Sequence, residues 1–199
     1  MPQFDLRGIK VAAYVNSSGT IVYTSPQSAG DAMTANLEMR YAEGRLYAES
    51  TLAEFMKKAT GGSISLGVKY IPAAAQQLMF GSRSKSRSVT YVPSGGSTTT
   101  ASVSGLVLGA KTDPKYVGIA FYAPDMIDGV EKYTCVKVAK ALFGPPGMSL
   151  QTAGDNIQFN TPTTTGEFLA DDSTDQDMLE VAICDDEEAA KAWVAAVLA

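Results

Sequence analysis

The sequence predicts a mainly β protein with two helices, and three observations support this prediction. The dominant hydrophobic period is two, which is the period of a strand with one buried face. Turn-forming residues such as glycine, proline and aspartate separate nearly all of the alternating segments. The helical period of 3.6 is clear only in one internal segment and at the C-terminus. We therefore expect the 199 residues to form one domain, 1–199, which is large enough to bury a core without disulfides or metals.

The alternating segments predict the strands in order along the chain. In the clearest one, Ala35, Leu37 and Met39 alternate with polar residues, as expected for a half-buried strand. The longest apolar run, 130–143, is preceded by the turn signal Asp128-Gly129. The predicted strands are 9–14, 20–24, 35–41, 64–70, 117–121, 130–143, 157–159 and 179–183.

Two segments have the residues expected at the ends of helices. Pro72 suits a first helical turn, and Gly81 is a natural helix stop nine residues later. At the C-terminus, Asp185 and Asp186 can cap a helix over 185–198. Its predicted apolar stripe, with Trp193 anchoring the helix to the sheet, consists of Ala189, Trp193, Ala196 and Val197.

The local signals over 51–59 favour a third helix. Thr51 and Glu54 have the spacing of a capping box, in which each side chain accepts a hydrogen bond from the other residue's backbone N–H. Leu52, Phe55 and Met56 then recur at helical spacing.

Two polar stretches, 82–112 and 161–177, are rich in serine, threonine and glycine or in aspartate. Loops of this length inside a compact domain are either mobile or functional. The first stretch also has the composition of an extended β arm. We expect both stretches to be surface loops, or arms that become ordered only against neighbouring subunits.

Charge and composition exclude several classes of function. The net charge is −5, whereas nucleic-acid binding depends on clustered lysine and arginine. The one basic cluster, Arg83, Lys85 and Arg87, alternates with serine and indicates a solvated loop or a phosphate contact. Because the chain has no histidine, it lacks histidine-dependent triads and the common zinc motifs. We therefore expect no enzyme activity, metal, cofactor or small-molecule ligand.

The sequence also predicts the compartment in which the chain is made. It has no apolar run long enough to span a bilayer, and residues 1–10 lack the pattern of a secretory signal. Cytoplasmic synthesis is therefore expected. The two cysteines, Cys135 and Cys184, lie in apolar segments and are predicted to be reduced thiols.

Several short segments from Ala35 onward follow one another in an informative order and spacing. They are Glu38, Arg40-Tyr41, Arg45, 61–66, Ile71-Pro72, 78–81, 116–121, 129–133, Lys137, 143–145, 156–163 and 188–193. In this order the chain resembles the major tail proteins of long-tailed, non-contractile bacteriophages, which are the subunits of the tail tube. None of the segments encodes chemistry, so the resemblance depends on their order. The segment 82–112 is longer and more basic than the resemblance leads us to expect.

The resemblance implies a β-sandwich or partly closed barrel flanked by a helix, and a strand instead of a helix at 51–59. It implies that six copies form a ring and that rings stack into a hollow tail tube through which phage DNA passes without specific binding. The implied partners are further copies of the chain and the tape-measure, tail-tip and tail-terminator proteins, without a membrane. The implied location is the virion tail, after assembly in the host cytoplasm.

The two polar stretches supply the candidate subunit-interface residues. We predict that Arg83, Lys85 and Arg87 of one subunit pair with acidic residues of a neighbour. The predicted acidic partners are Asp171, Asp172, Asp175 and Asp177. Two alternatives remain open at this point, namely a tube protein of a contractile injection or secretion system and a carbohydrate-binding or hydrolytic β-sandwich.

Overall fold

The computed structural model describes residues 5–48, 51–147 and 161–199 of the chain. Within these ranges the protein is mainly β, as the alternating pattern predicts, with one internal and one C-terminal helix. In chain order the elements are β1 Arg7–Ser17, β2 Thr20–Ser28, β3 Ala32–Ala48, β4 Thr51–Val68, α1 Ala73–Phe80, β5 Arg83–Tyr91, β6 Thr99–Val107, β7 Val117–Ile127, β8 Val130–Phe143, β9 Thr163–Leu169, β10 Leu179–Cys184 and α2 Glu187–Ala196.

Eight strands form one antiparallel sheet, and β5 and β6 form a separate two-stranded sheet. The order in the large sheet is β2-β1-β7-β8-β9-β4-β3, with β10 also paired to β8. Among the described residues this sheet does not close into a barrel, because β2 and β3 at its two ends each have a single partner. The sheet therefore has free edges at β2 and β3, and β10 has a third.

Strand β8 organises the sheet because it is long enough to pair with three others. Along one edge it pairs with β7 from Val130 to Ala141. Along its other edge β10 pairs with Tyr133–Val138, and β9 pairs with Lys140–Phe143. The two short strands thus follow one another along a single edge of β8.

The central parts of β1, β7 and β8 have buried residues on both faces, and β7 is buried along nearly its whole length. One face, with Val11, Ile119 and Val138, packs against residues of β4, β9 and α1 in the main core cluster. The opposite face, with Ala12 and Ala120, packs against α2 in a second cluster. Strands β1 and β4, from the two halves of the large sheet, therefore contribute to one core, and α2 covers the back of its central strands.

The helix boundaries follow the capping signals in the sequence. Pro72 precedes α1, and Gly81 ends it in the left-handed conformation, with φ 64°. At α2 the Asp186 carboxylate accepts a hydrogen bond of 2.7 Å from the backbone N–H of Ala189, as a capping aspartate does.

The buried stripe of α2 differs from the predicted one. Ala190, Val194 and Leu198 are buried, whereas the predicted Ala189 and Ala196 are exposed. The stripe is displaced because the helix packs against the tyrosines on the back of the sheet, with Trp193 at the margin of this contact. The predicted anchoring role of Trp193 is thus shared with three smaller side chains.

Three further expectations are corrected or refined. Residues 51–59 are part of β4, so the helix indicated by local signals is wrong, because pairing with β3 outweighs the capping box. Most of 82–112 forms the β5–β6 hairpin, which is the extended-arm alternative. The stretch 161–177 is not an arm along its whole length, because β9 lies inside the large sheet with Thr164 and Phe168 buried. The predicted strand at 157–159 lies outside the described residues.

The two cysteine thiols are free and lie side by side on neighbouring strands. The Sγ atoms of Cys135 and Cys184 are 3.7 Å apart, with Cys135 buried and Cys184 half-buried. Burial, followed by the hydrogen bond to Cys184, raises the pKa of the Cys135 thiol to about 12. This thiol is therefore protonated, and a poor nucleophile, at neutral pH.

Candidate assembly surfaces

The β3–β4 hairpin extends well beyond the large sheet. Its inner half is held by β9, which pairs with β4 only from Gly62 to Gly67. Its outer half, residues 41–48 and 51–59, pairs only with itself, and we call this part the outer ribbon. The transition is marked by a register shift between Arg40 and Tyr41 and by Gly61, whose φ of +133° suits glycine. The sequence thus directs the two strands out of the sheet at a defined point.

One face of the outer ribbon is charged and internally paired. The register places Glu43 opposite Lys57 and Arg45 opposite Phe55, so these side chains share a face. The Glu43 carboxylate lies 3.4 Å from Lys57 Nζ and 3.5 Å from the Arg45 guanidinium. Lys57 also lies over the ring of Tyr41, 4.4 Å from its centroid. We call this the ionic face.

The opposite face of the outer ribbon is apolar. It places Gly44 opposite Met56 and Leu46 opposite Glu54, with Lys58 opposite Ala42 at the inner end. Met56 is 73% exposed and Leu46 is 58% exposed. A Cβ atom added to Gly44 would have no neighbour within 4 Å, so the centre of this face is open and flat. We call it the apolar face, and its charged ends resemble the polar rim of a protein–protein interface.

The outer ribbon has more exposed apolar surface than its own chain can cover. Its large apolar side chains that are about half or more exposed are Tyr41, Leu46, Tyr47, Phe55 and Met56. Leu46 and Met56 lie on the apolar face, whereas Tyr41 and Phe55 lie on the ionic face, so both sides of the ribbon expose apolar side chains. An isolated two-stranded hairpin is only marginally stable in water, and exposed apolar surface of this kind marks interaction sites. Sequence reasoning missed this surface, because the local signals over 51–59 favoured a helix and hid the pairing that places Met56 and Leu46 on one face.

The β5–β6 hairpin carries the three predicted basic interface residues. Arg83, Lys85 and Arg87 alternate along β5 and therefore lie on one face, and all three are exposed. The other face is lined by hydroxyls, with Ser86 and Ser102 hydrogen-bonded across the strands at 2.7 Å. We call these the basic face and the hydroxyl face. In the described part of the chain, no ion pair involves any of the three basic side chains.

Two of the four predicted acidic interface residues are engaged within the chain. Asp172 accepts hydrogen bonds from Lys140 Nζ, at 2.8 Å, and from Tyr14 Oη, at 2.9 Å. These two donors hold the pKa of Asp172 below its ordinary value. Asp171 accepts hydrogen bonds from the backbone N–H groups of Ser173 and Asp177, which close the loop on itself.

The other two acidic residues remain available to a partner. Asp175 and the side chain of Asp177 are exposed, and no described cation lies within 4 Å of either carboxylate. No ion pair joins the basic face to the loop 171–177 within one described chain. The structure therefore divides the predicted acidic set into an internal pair, Asp171 and Asp172, and an external pair, Asp175 and Asp177.

Replacing Lys140 by methionine should release the loop 171–177. Lys140 is 14% exposed and donates two of the three hydrogen bonds that the Asp172 carboxylate accepts, the third coming from Tyr14 Oη. We expect the backbone N–H of Asp172, which donates to Tyr14 Oη at 2.9 Å, to exchange with solvent several-fold faster in the variant. Amide hydrogen exchange measured by NMR checks this, with the exposed Lys115→Met as control.

The same variant should change how the loop responds to acid. Because the folded pKa of Asp172 is depressed, its contribution is present above the ordinary aspartate pKa of roughly 4 and is lost as the pH falls through the lower folded value. Protection of the Asp172 amide should therefore fall in acid in the wild-type chain and stay low at all pH values in Lys140→Met. Equal protection in both chains would contradict the assigned contact.

The free edges of the large sheet provide further contact surfaces. On β10, Leu179, Val181 and Ile183 point to one side and are 37%, 57% and 56% exposed. Beside β3 lies a groove of about 310 Å³ that is lined by β3, by Phe121 of β7 and by Val136 of β8. Unpaired strand edges of this kind readily pair with a strand of another chain.

The described residues contain no group of side chains arranged for chemistry on a metal. No three His, Cys, Asp or Glu residues within 5–48, 51–147 and 161–199 are placed to hold a metal ion. Arg40 and Glu167 are among the residues that line a second cavity, of about 370 Å³. The two side chains form an ion pair, with N and O atoms 2.7 Å apart. Neither described helix is long and apolar enough to cross a membrane.

Comparison with known proteins adds no relative to these observations. No protein-family model matches the chain, and no curated protein has a matching sequence.

Proposed function

We propose that this chain is a structural subunit that assembles with copies of itself into rings, and that the rings stack as a hollow tail tube of the type found in long-tailed, non-contractile bacteriophages. The observation that carries the proposal is the outer ribbon, a two-stranded extension with an apolar face that its own chain leaves uncovered. The resemblance stated from the order of short sequence segments supports the same proposal.

The observed sheet is compatible with the fold class that this proposal requires. A tail-tube subunit of this type is a β-sandwich or partly closed barrel with a flanking helix. Strands from the two halves of the large sheet, β1 and β4 among them, share one core cluster, and α2 covers the back of the central strands. The open edges at β2, β3 and β10 are the places where neighbouring subunits would continue the sheet.

Assembly into both a ring and a tube requires contacts between unlike surfaces. A contact between two different patches of the same chain is head-to-tail, and it closes into a ring or continues as a filament according to the rotation that it imposes. The chain offers such unlike patches, namely the apolar face of the outer ribbon and the open edges of the sheet. In this arrangement each outer ribbon is covered by the body of a neighbour.

The charge of the subunit suits a conduit for DNA. The net charge of −5 gives the assembled wall an excess of negative charge, which repels phosphate and lets the polymer slide without specific binding. The further partners in this proposal are the tape-measure, tail-tip and tail-terminator proteins, and the location is the virion tail after assembly in the host cytoplasm. In this role the chain needs neither a catalytic site nor a cofactor.

Negative-stain electron microscopy of the purified full chain across a concentration series tests the proposal. We expect hollow rings or tubes of uniform diameter, together with a concentration-dependent rise in sedimentation coefficient. A chain that remains monomeric at every concentration would contradict the proposal.

A further inference from the structure

The β5–β6 hairpin and the remainder of the chain carry opposite charge. Residues 83–107 contain three basic residues and no acidic one. Removing them from the totals of 16 basic and 21 acidic residues leaves 13 against 21, a net charge of −8. The protein is therefore a strongly acidic body with a basic hairpin attached.

The hairpin presents its charge as an ordered row. Arg83, Lys85 and Arg87 are two residues apart on one strand, which spaces them by roughly 7 Å. Their cross-strand partners are Val107, Gly105 and Val103, none of which is charged. The three charges thus lie beside uncharged residues of β6 on the basic face. No described acidic side chain of the same chain forms an ion pair with them.

The acidic body also has exposed carboxylates that form no ion pair with a described cation of the same chain. In the loop 171–177, Asp171 and Asp172 are engaged internally, as described above, which leaves Asp175 and Asp177 exposed and two residues apart. The internal bonds of the loop hold it in one conformation, so its two exposed carboxylates are presented without a large ordering cost.

We propose that the basic face of the β5–β6 hairpin docks on the acidic body of a second copy of this chain, where it meets Asp175 and Asp177. This deepens the proposed function, on which it rests, because it names an ionic contact between subunits. The opposite charges of hairpin and body favour a second copy as the occupant.

Nucleic acid fits the same face less well. Three cations displace only about three counterions from a phosphate backbone, which gives weak binding, and the body of net charge −8 repels phosphate from the same molecule. A second copy brings both the attraction of its acidic body and a large apolar contact at the outer ribbon.

The test compares self-association of the full wild-type chain with that of Arg83→Glu/Lys85→Glu/Arg87→Glu by sedimentation velocity and negative-stain microscopy at rising salt. We expect wild-type association to weaken as salt screens the exposed ion pairs. In the triple variant we expect the concentration of half-assembly to rise about tenfold, and its salt dependence to flatten or reverse. Circular dichroism should be unchanged, since all three side chains are exposed.

A matched control and a charge exchange make the test specific. The control reverses the same number of exposed basic residues away from the hairpin, in Lys69→Glu/Lys111→Glu/Lys115→Glu, and should leave association nearly unchanged. Adding Asp175→Lys/Asp177→Lys to the triple variant should restore association, because the two charged surfaces are then exchanged.

The outcomes separate this inference from the proposed function. Tubes that form equally well in the triple variant and in the wild type would overturn the inference and leave the function standing. A salt-sensitive dimer that the triple variant loses would support the inference and contradict the tube. Failure of the charge exchange to restore association would overturn the assignment to Asp175 and Asp177. A wild-type chain that shifts duplex DNA in a gel through these three residues, without any change in association, would overturn the inference in favour of nucleic acid.

Discussion

Replacing Phe168 by alanine should lower the free energy of unfolding by about 3–5 kcal/mol, the range measured when a fully buried phenylalanine is truncated. Phe168 is completely buried in β9, between Gly62 of β4 and Ala141 of β8. Its ring lies over Gly62, where an added Cβ would be only 2.2 Å from the ring tip. The glycine and the ring thus share one space, and removing the ring leaves a cavity that the paired strands cannot close.

Urea unfolding followed by circular dichroism measures this effect. The matched control is the neighbouring Leu169→Ala, since Leu169 is 42% exposed on the opposite side of the same strand and should cost about 1 kcal/mol or less. The two midpoints should differ clearly while the slopes remain similar. Equal destabilisation by both substitutions would contradict the burial of Phe168 between β4 and β8.

Replacing Met56 by glutamate should strongly weaken self-assembly. Met56 is the most exposed large apolar side chain of the apolar face, so its change leaves the folded subunit intact. In an assembled interface the substitution removes the burial of one methionine, worth about 1.5–3 kcal/mol, and places an unpaired carboxylate against apolar surface, which costs more. We expect the concentration of half-assembly to rise at least about 100-fold.

Sedimentation velocity and electron microscopy check this result against Met126→Glu. Met126 is 49% exposed at the end of β7, so this control introduces the same charge in place of the same side chain outside the outer ribbon. We expect the control to assemble as the wild type does. If both variants assembled normally, the apolar face would not be a subunit contact, and the main support for the proposed function would be lost.

The sequence predicted those elements whose signals are local and agree with the packing. Pro72 and Gly81 bound α1 because their backbone preferences hold in any environment. The run 130–143 is β8, residue for residue, because turn-forming residues stand at both of its ends, Asp128-Gly129 before it and Gly144-Pro145 after it.

The remaining elements depend on contacts between distant residues and could not be predicted from local patterns. Residues 51–59 form a strand because they belong to the β3–β4 ladder of sixteen residue pairs, and this pairing outweighs the local capping-box signal. Asp172 could not be assigned to Lys140 and Tyr14, since these residues lie 32 and 158 positions away in the chain. The outer ribbon was missed for the same reason, because its apolar face combines residues from two strands.

The way in which the β3–β4 ladder continues from the sheet into the outer ribbon has a mechanical consequence. Backbone hydrogen bonds in antiparallel strands are perpendicular to the strand direction. A pull along the outer ribbon therefore loads the bonds of β4 to β3, and of β4 to β9, in shear and at the same time. In a stacked tube, bending of the whole filament would be transmitted through each ribbon into the core of its own subunit at Gly62 and Phe168, so that stiffness would be a property of the folded subunit as well as of its interfaces.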